Sequence, residues 1–304
     1  MTDKRSSLYP VLVFGGLLAV CFLFAYILFS SLNSASESGH GWTTGSGPKI
    51  GVVEINGVIT ESKDVLAHLV DFRRDPAIKA IVVRVDSPGG SVGPSQEIFR
   101  AIQRARKDKK VVISMGALAA SGGFYIAVAG DRIYASPGTI TGSIGVISEF
   151  PDVSGLLDLA HLKATTIKSG ALKDVGSPLR AMTPEEKVYF QGFVDAIYEQ
   201  FLTDVADSRK LPKDEVRKVA DGRVLTGKQA LDLKLIDEIG NFEDAVDGAA
   251  KLAGATGEPV VVFAKKKQSF VSELWHDGAE GATSAIREEL HGGSTIELRD
   301  GRLR

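Results

Sequence analysis

Cysteine is almost absent from this 304-residue chain, and neither sign of charge is in clear excess. Because Cys21 is the sole cysteine, no intramolecular disulfide can form, which excludes a disulfide-stapled scaffold. The 36 basic and 38 acidic side chains are scattered and give a net charge of −2. Without a broad basic field or a recognisable nucleic-acid motif, we expect no nucleic-acid partner.

One long apolar run departs from this balance. Residues 8–32 contain no charged side chain and are long enough for the roughly 20 apolar residues of a membrane-spanning helix. Lys4 and Arg5 precede the run, so the positive-inside rule predicts a cytoplasmic amino terminus and an extracytoplasmic folded domain. A cleaved signal peptide would have a shorter apolar region, and retention of the span remains open.

The chain divides into five predicted segments around this run. They are a cytoplasmic amino terminus (1–7), a transmembrane helix (8–32), a flexible Ser- and Gly-rich linker (33–48), a folded domain (49–263) and a tail (264–304). From residue 49 onward, β-branched runs alternate with helical stretches, which predicts an α/β domain with a largely parallel sheet. The predicted strands are 49–55, 80–86, 110–115, 132–136, 142–148, 163–169 and 259–264.

Two small-residue stretches could carry chemistry. In "SMGALAASGGFYIA" Ser121 lies between alanines and glycines at the predicted start of a helix, as an exposed nucleophile requires, although a simple helix cap explains it equally well. In "VDSPGGSV" Gly89 and Gly90 follow a predicted strand. Adjacent glycines permit an exposed N–H for an oxyanion, but a plain turn is the commoner explanation.

The general base is harder to assign. The stretch "AASGG" is not the Gly-x-Ser-x-Gly elbow of α/β-hydrolases. Lysine can serve as a base if a desolvated site keeps its amine neutral, and "TIKSGALKDVGSP" offers Lys168 and Lys173, although most lysines are surface charges. None of the five histidines lies in a glycine-rich loop of catalytic type, which does not exclude a triad: His40, His68, His161, His276 and His291.

In order along the chain, five motifs together resemble the short form of the SppA-type signal peptide peptidases. They are "DSPGGSV", "SMGALAASGGFYIA", "TGSIGVI", "IKSGALKDVGSP" and "DGRVLTGKQALDLKLIDEIG". The resemblance implies a ClpP/crotonase-like fold of repeated β-β-α units, with residues 49–263 as a serine peptidase domain. It also implies a membrane-anchored enzyme that degrades hydrophobic peptides such as signal peptides left in the membrane.

Matched residue by residue, the resemblance implies a Ser/Lys dyad, with no metal or cofactor. Lys168 is the alternative base. The implied site consists of Ser121 as nucleophile, Lys173 as general base, Ser143 orienting the lysine, and the N–H groups of Gly90 and Gly122 as oxyanion donors.

The resemblance further implies a homo-oligomer in which neighbouring copies share each active site. Lipid contact would come through the amino-terminal helix. Two other functions remain open at this stage: an anchored scaffold or quality-control peptidase of stomatin-operon type, and a crotonase-like acyl-CoA enzyme. An external domain argues against the latter, because CoA is cytoplasmic.

Overall fold

A largely parallel sheet organises the part of the chain that the structure describes. The computed structural model describes residues 46–264, so the predicted segments 1–7, 8–32 and most of 33–48 and 264–304 lie outside it. Its strands are β1 (Lys49–Asn56), β2 (Ile78–Ser87), β3 (Lys110–Ala120), β4 (Arg132–Ala135), β5 (Ile140–Gly142), β6 (Val224–Thr226), β7 (Glu238–Ile239) and β8 (Val260–Phe263).

Helices connect and cover these strands. They are α1 (Lys63–Arg74), α2 (Val92–Ala105), α3 (Gly122–Ala127), α4 (Ser154–Leu159), α5 (Pro184–Arg209), α6 (Lys213–Arg217), α7 (Gly227–Asp232) and α8 (Phe242–Leu252). Within residues 46–264 no helix combines the length and hydrophobicity needed to cross a bilayer. The predicted span at residues 8–32 is not among the described residues.

The strand order is β6-β5-β3-β2-β1-β8, and β4 pairs with β3 and with β7. Only the β5–β6 pair is antiparallel among the described pairings. The predicted α/β class with a mostly parallel sheet is therefore confirmed. The long strand β3 pairs with β4 near its start and with β5 at its end, so its last residues lie between β2 and β5.

Alternating side chains of the central strands form a core on each face of the sheet. On β2, Ile81, Val83 and Val85 face the layer built from α1, α2, α3 and the second half of α5. Ala80 and Val82 face the other layer, where α8 packs. These side chains are fully buried, and the alternation follows from the two-residue period of a strand. Helices on both faces are the usual cover of a parallel sheet.

The long helix α5 begins with a capping box and then divides into two parts. The side chain and backbone of Thr183 and Glu186 bond each other reciprocally, with proline at the first helical position, a start that the sequence "TPEE" predicts. Apolar residues recur at helical spacing along α5, and of these Phe201 and Val205 are buried, but Val188 is 74% exposed. The apolar stripe therefore meets the core only in the second half of the helix.

Two predicted strands are absent from the described fold. Residues 142–148 contribute only Gly142 to β5, and residues 163–169 are irregular and exposed. β-Branched residues form strands where a pleated surface can bury them. In these two runs only Ile144 is buried in the core, whereas Ile147 and Ile167 are exposed. Both runs border or lie within residues 145–182, called the arm below, whose single helix is the short α4.

Candidate active site

Ser121 lies at a sharp turn between β3 and α3. Its backbone has φ 52° and ψ −121°, a conformation that costs a non-glycine residue roughly 1–3 kcal/mol. Its N–H donates to the Gly142 carbonyl at 2.9 Å, and its carbonyl accepts from the Tyr125 N–H at 2.8 Å. Although the residue occupies the N-cap position, its side chain forms no capping hydrogen bond. The simple helix-cap explanation therefore does not account for this serine.

The glycine loop after β2 packs directly against this turn. Gly89 has φ 98°, and a Cβ placed on it would lie 2.5 Å from the Gly122 nitrogen. A Cβ on Gly90 would lie 2.2 Å from the Ile59 carbonyl oxygen. Backbone atoms cannot yield to such overlaps without moving the loop. Glycine is thus required here by close approach of main chains, and not only by the turn.

Two backbone N–H groups meet beside the serine. The Ile59 N–H donates to the Gly89 carbonyl at 2.9 Å, and the Ser91 N–H donates to the Ile59 carbonyl at 2.7 Å. In this parallel bridge the intervening Gly90 N–H is directed away from Ile59. The Gly122 N–H is the first donor of α3 and has no partner within the helix. Among residues 46–264, neither N–H has an acceptor.

The serine and the residues that carry the two free N–H groups line one cavity of about 440 Å³. Gly90, Ser121, Gly122 and Ser143 line it together, so four of the five predicted site residues meet in one chain. The remaining wall combines apolar side chains with a few polar ones. These are Pro88, Val92, Ser95, Gln96, Tyr125, Gly145, Val146, Ile147, Ile197, Phe201, Asp221 and Gly222.

Ser143 is held in place by its backbone. Its φ is 51°, again in the left-handed region, and its N–H donates to the Arg223 carbonyl at 2.8 Å. The adjacent Gly222 N–H donates to the Ile144 carbonyl at 3.1 Å. The Ser143 hydroxyl therefore occupies a fixed position in the cavity wall.

The fifth predicted residue lies apart from the other four. Lys173 is exposed in a turn of the arm and does not line the cavity. Among the described residues its ammonium has no hydrogen bond or ion pair. Lys168, the alternative base, instead binds the Ala171 carbonyl at 2.8 Å and the Asp174 carboxylate. The Lys168 ammonium is thus engaged in an ion pair of the arm, and Lys168 does not line the cavity either.

No other group in the described cavity is suited to be the base. Neither His68 nor His161 lines it. Burial, followed by a hydrogen bond to Asp204, raises the pKa of Tyr125, so its phenol stays neutral at physiological pH. A hydrogen bond from Arg223 lowers the pKa of Asp221 to about 2. That carboxylate stays ionised and paired. Within the described part of the chain, no three His, Cys, Asp or Glu side chains lie close enough together to hold a metal ion.

Several cavity residues were not predicted from the sequence. Gln96 lies one helical turn after Val92, the last residue of the first stretch, and Tyr125 lies one turn after Ser121 within the second. Helical spacing from each stretch could have located both. Asp221 lies in the turn before β6, at the first position of the motif "DGRVLTGKQALDLKLIDEIG", but the resemblance assigns it no role.

Comparison with known proteins gives the family. The model of peptidase family S49 matches residues 103–256, and the Clp protease model matches residues 52–139. A Synechocystis protein named "Putative protease" is 42% identical over 71% of this chain and 79% of its own length. An Enterococcus faecium protein named "Putative signal peptide peptidase SppA" is 35% identical over 75% of this chain and 70% of its own.

A third relative, "Protease 4" of Salmonella typhi, is 38% identical over 68% of this chain and 35% of that longer protein. Both family matches include Ser121, and the Clp protease match also includes Gly89 and Gly90. The resemblance to SppA-type peptidases is therefore confirmed. The chain therefore belongs to peptidase family S49, and it is a serine peptidase.

Proposed function

We propose that this chain is a membrane-anchored endopeptidase that uses a Ser/Lys dyad shared between neighbouring copies. Ser121 is the nucleophile, and Lys173 from an adjacent copy is the general base. The substrates are extended hydrophobic peptides, such as signal peptides that remain after secretion. The domain has the repeated β-β-α units of the ClpP/crotonase-like folds, and residues 8–32 anchor it with the catalytic domain outside the cytoplasm.

One observation carries the proposal. The described cavity contains a nucleophile and two oxyanion donors, but no base among residues 46–264, while an unpaired lysine is exposed on the arm. A serine hydroxyl is a weak nucleophile until a base takes its proton. The base then comes from elsewhere, and a second copy of the chain can supply it.

The arm and the start of α5 support assembly. Several large apolar side chains are exposed in the single chain there, a pattern typical of surfaces that another protein covers. They are Ile147, Phe150, Leu156, Leu159, Leu162, Ile167, Leu172 and Leu179 on the arm, and Val188, Tyr189 and Phe193 on α5. Ile167 is 97% exposed. A ring of copies would bury this surface and carry each arm toward a neighbouring cavity.

The proposed mechanism has two halves. Neutral Lys173 accepts the proton of the Ser121 hydroxyl as its oxygen attacks the peptide carbonyl. The N–H groups of Gly90 and Gly122 stabilise the oxyanion of the tetrahedral intermediate, which then collapses as the Lys173 ammonium protonates the leaving amine. Water hydrolyses the acyl-enzyme with the same lysine as base. The Ser143 hydroxyl accepts a hydrogen bond from the amine and orients it.

The cavity wall favours apolar substrates. The cavity that contains Ser121 is also lined by three large apolar side chains, those of Val92, Ile197 and Phe201. These side chains can bury an aliphatic side chain of the substrate, which needs no hydrogen-bond partner. A buried methylene is worth about 0.8 kcal/mol, so a leucine at the cleavage site gains affinity over alanine. Anchoring through residues 8–32 would hold this cavity near peptides released in the bilayer.

The dyad is tested with the full chain in detergent micelles and a fluorogenic signal peptide. Ser121→Ala and Lys173→Ala should each abolish cleavage, whereas Lys163→Ala, another exposed lysine of the same arm, should retain most of it. Labelling by a fluorophosphonate should occur at Ser121 and be lost in Lys173→Ala. Full activity of Lys173→Ala would exclude the proposed base.

Sharing between copies is tested by mixing. If Ser121→Ala and Lys173→Ala chains are dissociated, combined in equal amounts and reassembled, about a quarter of the sites should receive both intact residues. Activity should then reappear from two inactive preparations. A mixture that stays inactive, although wild-type chains regain activity by the same treatment, would place both residues in one chain.

A further inference from the structure

Four charged side chains cluster around the turn that carries Lys173. They are Lys168 and Asp174 on the arm, Arg180 at its end, and Glu186 in the first turn of α5. Their charges sum to zero. Although they lie on a protruding part of the fold, Asp174 is only 12% exposed and Glu186 only 6%.

Arg180 joins the arm to the helix through two edges of its planar guanidinium. Nη1 and Nη2 donate to the two Glu186 carboxylate oxygens at 2.8 and 2.5 Å. Nε donates to Asp174 Oδ2 at 3.0 Å, and Nη2 reaches the Asp174 backbone carbonyl at 3.4 Å. Only arginine has a planar fork that can bind two carboxylates in this way. The residue next to Lys173 is thus tied to α5 by side chain and main chain.

The helix end of this link is itself fixed. Glu186 Oε2 accepts the Thr183 N–H at 3.0 Å, and the Glu186 N–H donates to Thr183 Oγ1 at 3.2 Å. Arg180 therefore attaches to a carboxylate that already closes a capping box. At the arm end, Lys168 binds Asp174 and the Ala171 carbonyl, which closes the turn from its other side.

The hydrogen bonds also hold the cluster in its charged state. A hydrogen bond from Arg180, followed by one from Lys168, lowers the pKa of Asp174. Arg180 lowers the pKa of Glu186 to about 2. Asp152 and Lys187, one of each sign, line the cavity beside Arg180, and Glu185 lies next to Glu186. Without Arg180, four carboxylates around the lysine turn, those of Asp152, Asp174, Glu185 and Glu186, would outnumber the two ammonium groups of Lys168 and Lys187.

We propose that Arg180 is a positioning residue, which ties the Lys173 turn to α5 and so presents the Lys173 amine to the Ser121 site of a neighbouring copy. The proposal rests on the function proposed above. It also gives Lys168 a role, because its ammonium closes the turn from within the cluster. Since Arg180 contacts neither substrate nor nucleophile, it acts only through the lysine turn.

The test compares Arg180→Gln with Asp174→Asn and a control, Arg217→Gln, in the full chain in detergent. Arg217 makes a similar two-pronged pair with Glu199, but on a part of α5 that faces α6. A misplacement of about 1 Å can cost roughly 100-fold in rate, so Arg180→Gln and Asp174→Asn should lower kcat about 10- to 100-fold with little change in KM. Arg217→Gln should stay within about twofold of wild type.

A second measurement follows the lysine directly. Competitive acetylation of the assembled enzyme with trace acetic anhydride, read by mass spectrometry over a range of pH, reports how readily the Lys173 amine reacts. Removal of Arg180 leaves excess negative charge, which favours the ammonium, so the labelling curve and the acid limb of kcat/KM should both move to higher pH. A purely structural role would lower the enzyme's yield without moving either curve.

The outcomes separate this proposal from the dyad. Full activity of Lys173→Ala would refute the dyad, and the positioning role with it. An inactive Lys173→Ala together with Arg180→Gln that matches Arg217→Gln in kcat and labelling would refute the positioning role alone. If Arg180→Gln fails to assemble, Asp174→Asn breaks the same link from the other end and decides the question by the loss of kcat. Because Asp174→Asn removes a negative charge, its labelling curve should move to lower pH instead.

Discussion

Replacing Gly89 by alanine tests whether main-chain packing at the glycine loop sets the rate of the peptidase. The added Cβ would lie 2.5 Å from the Gly122 nitrogen and 3.0 Å from both the Ala120 oxygen and the Ser121 Cβ. Ordinary contact begins near 3.4 Å, so the loop and the serine turn must separate by about 0.9 Å. That displacement falls directly on the two proposed oxyanion donors.

The size of the effect follows from that displacement. Loss of a single oxyanion donor typically lowers kcat by about 100- to 1,000-fold, and a 1 Å misplacement alone by about 100-fold. We expect Gly89→Ala to lower kcat about 100-fold, with a change in KM of no more than about threefold. The positive φ of 98° adds a stability cost of about 1–2 kcal/mol, which a domain of ordinary stability tolerates.

Gly57→Ala provides the control for backbone strain. Gly57 has φ 71°, and nothing lies within 4 Å of a Cβ placed there. The two variants therefore share the strain, but only Gly89→Ala changes the site. Both would be assayed with a fluorogenic peptide, and urea denaturation would measure their stabilities. Near-wild-type kcat in Gly89→Ala, or an equal loss in Gly57→Ala, would refute the argument from loop packing.

Two further predictions concern stability. Arginine hydrogen bonds hold the pKa values of Glu186 and Glu199 at about 2, below the roughly 4.3 of an unfolded glutamate. Their contribution to the free energy of unfolding is therefore present above about pH 4.5 and is lost as pH falls toward 2. The midpoint of urea denaturation should therefore decrease as the pH is lowered from 5 to 3, and it should decrease less in Glu199→Gln. A midpoint that does not change with pH would contradict this. Gly248→Ala, whose Cβ would lie 2.3 Å from the Tyr134 hydroxyl, should destabilise the domain by about 1–3 kcal/mol in thermal melts. Gly192→Ala, in open space on α5, should stabilise it by up to about 1 kcal/mol, and the reverse order of the two variants would refute the packing argument.

The central sheet could be predicted from the sequence because its pattern is local. The β-branched runs around Val53, Val83 and Val112 became β1, β2 and β3, and helices followed where apolar residues recur at helical spacing. The runs at 142–148 and 163–169 each contain three β-branched residues in seven, only one fewer than the runs that became β1 and β2. They do not become strands in the arm, because burial against neighbours, which one sequence does not reveal, decides the outcome.

The candidate site divides in the same way. Ser121 and the glycine loop are marked by small residues, and the structure places them around one cavity with Ser143. The link from Arg180 to Glu186 could not be predicted, because an arginine six residues before a glutamate has no distinctive pattern until the helix start is known. The role of Lys173 remains a prediction, since it depends on contacts between copies of the chain.

The turn at Ser121 is held by main-chain contacts on both sides. The Ser121 N–H donates to a carbonyl of β5, the Ser121 carbonyl accepts from the Tyr125 N–H of α3, and the glycine loop after β2 packs against Gly122. Side chains contribute little to that fastening. Protein engineers could accordingly exchange partly exposed wall residues such as Val92 or Ile197 to change which peptides are accepted, while the attacking oxygen keeps its orientation. Selectivity and reactivity would then be adjustable independently.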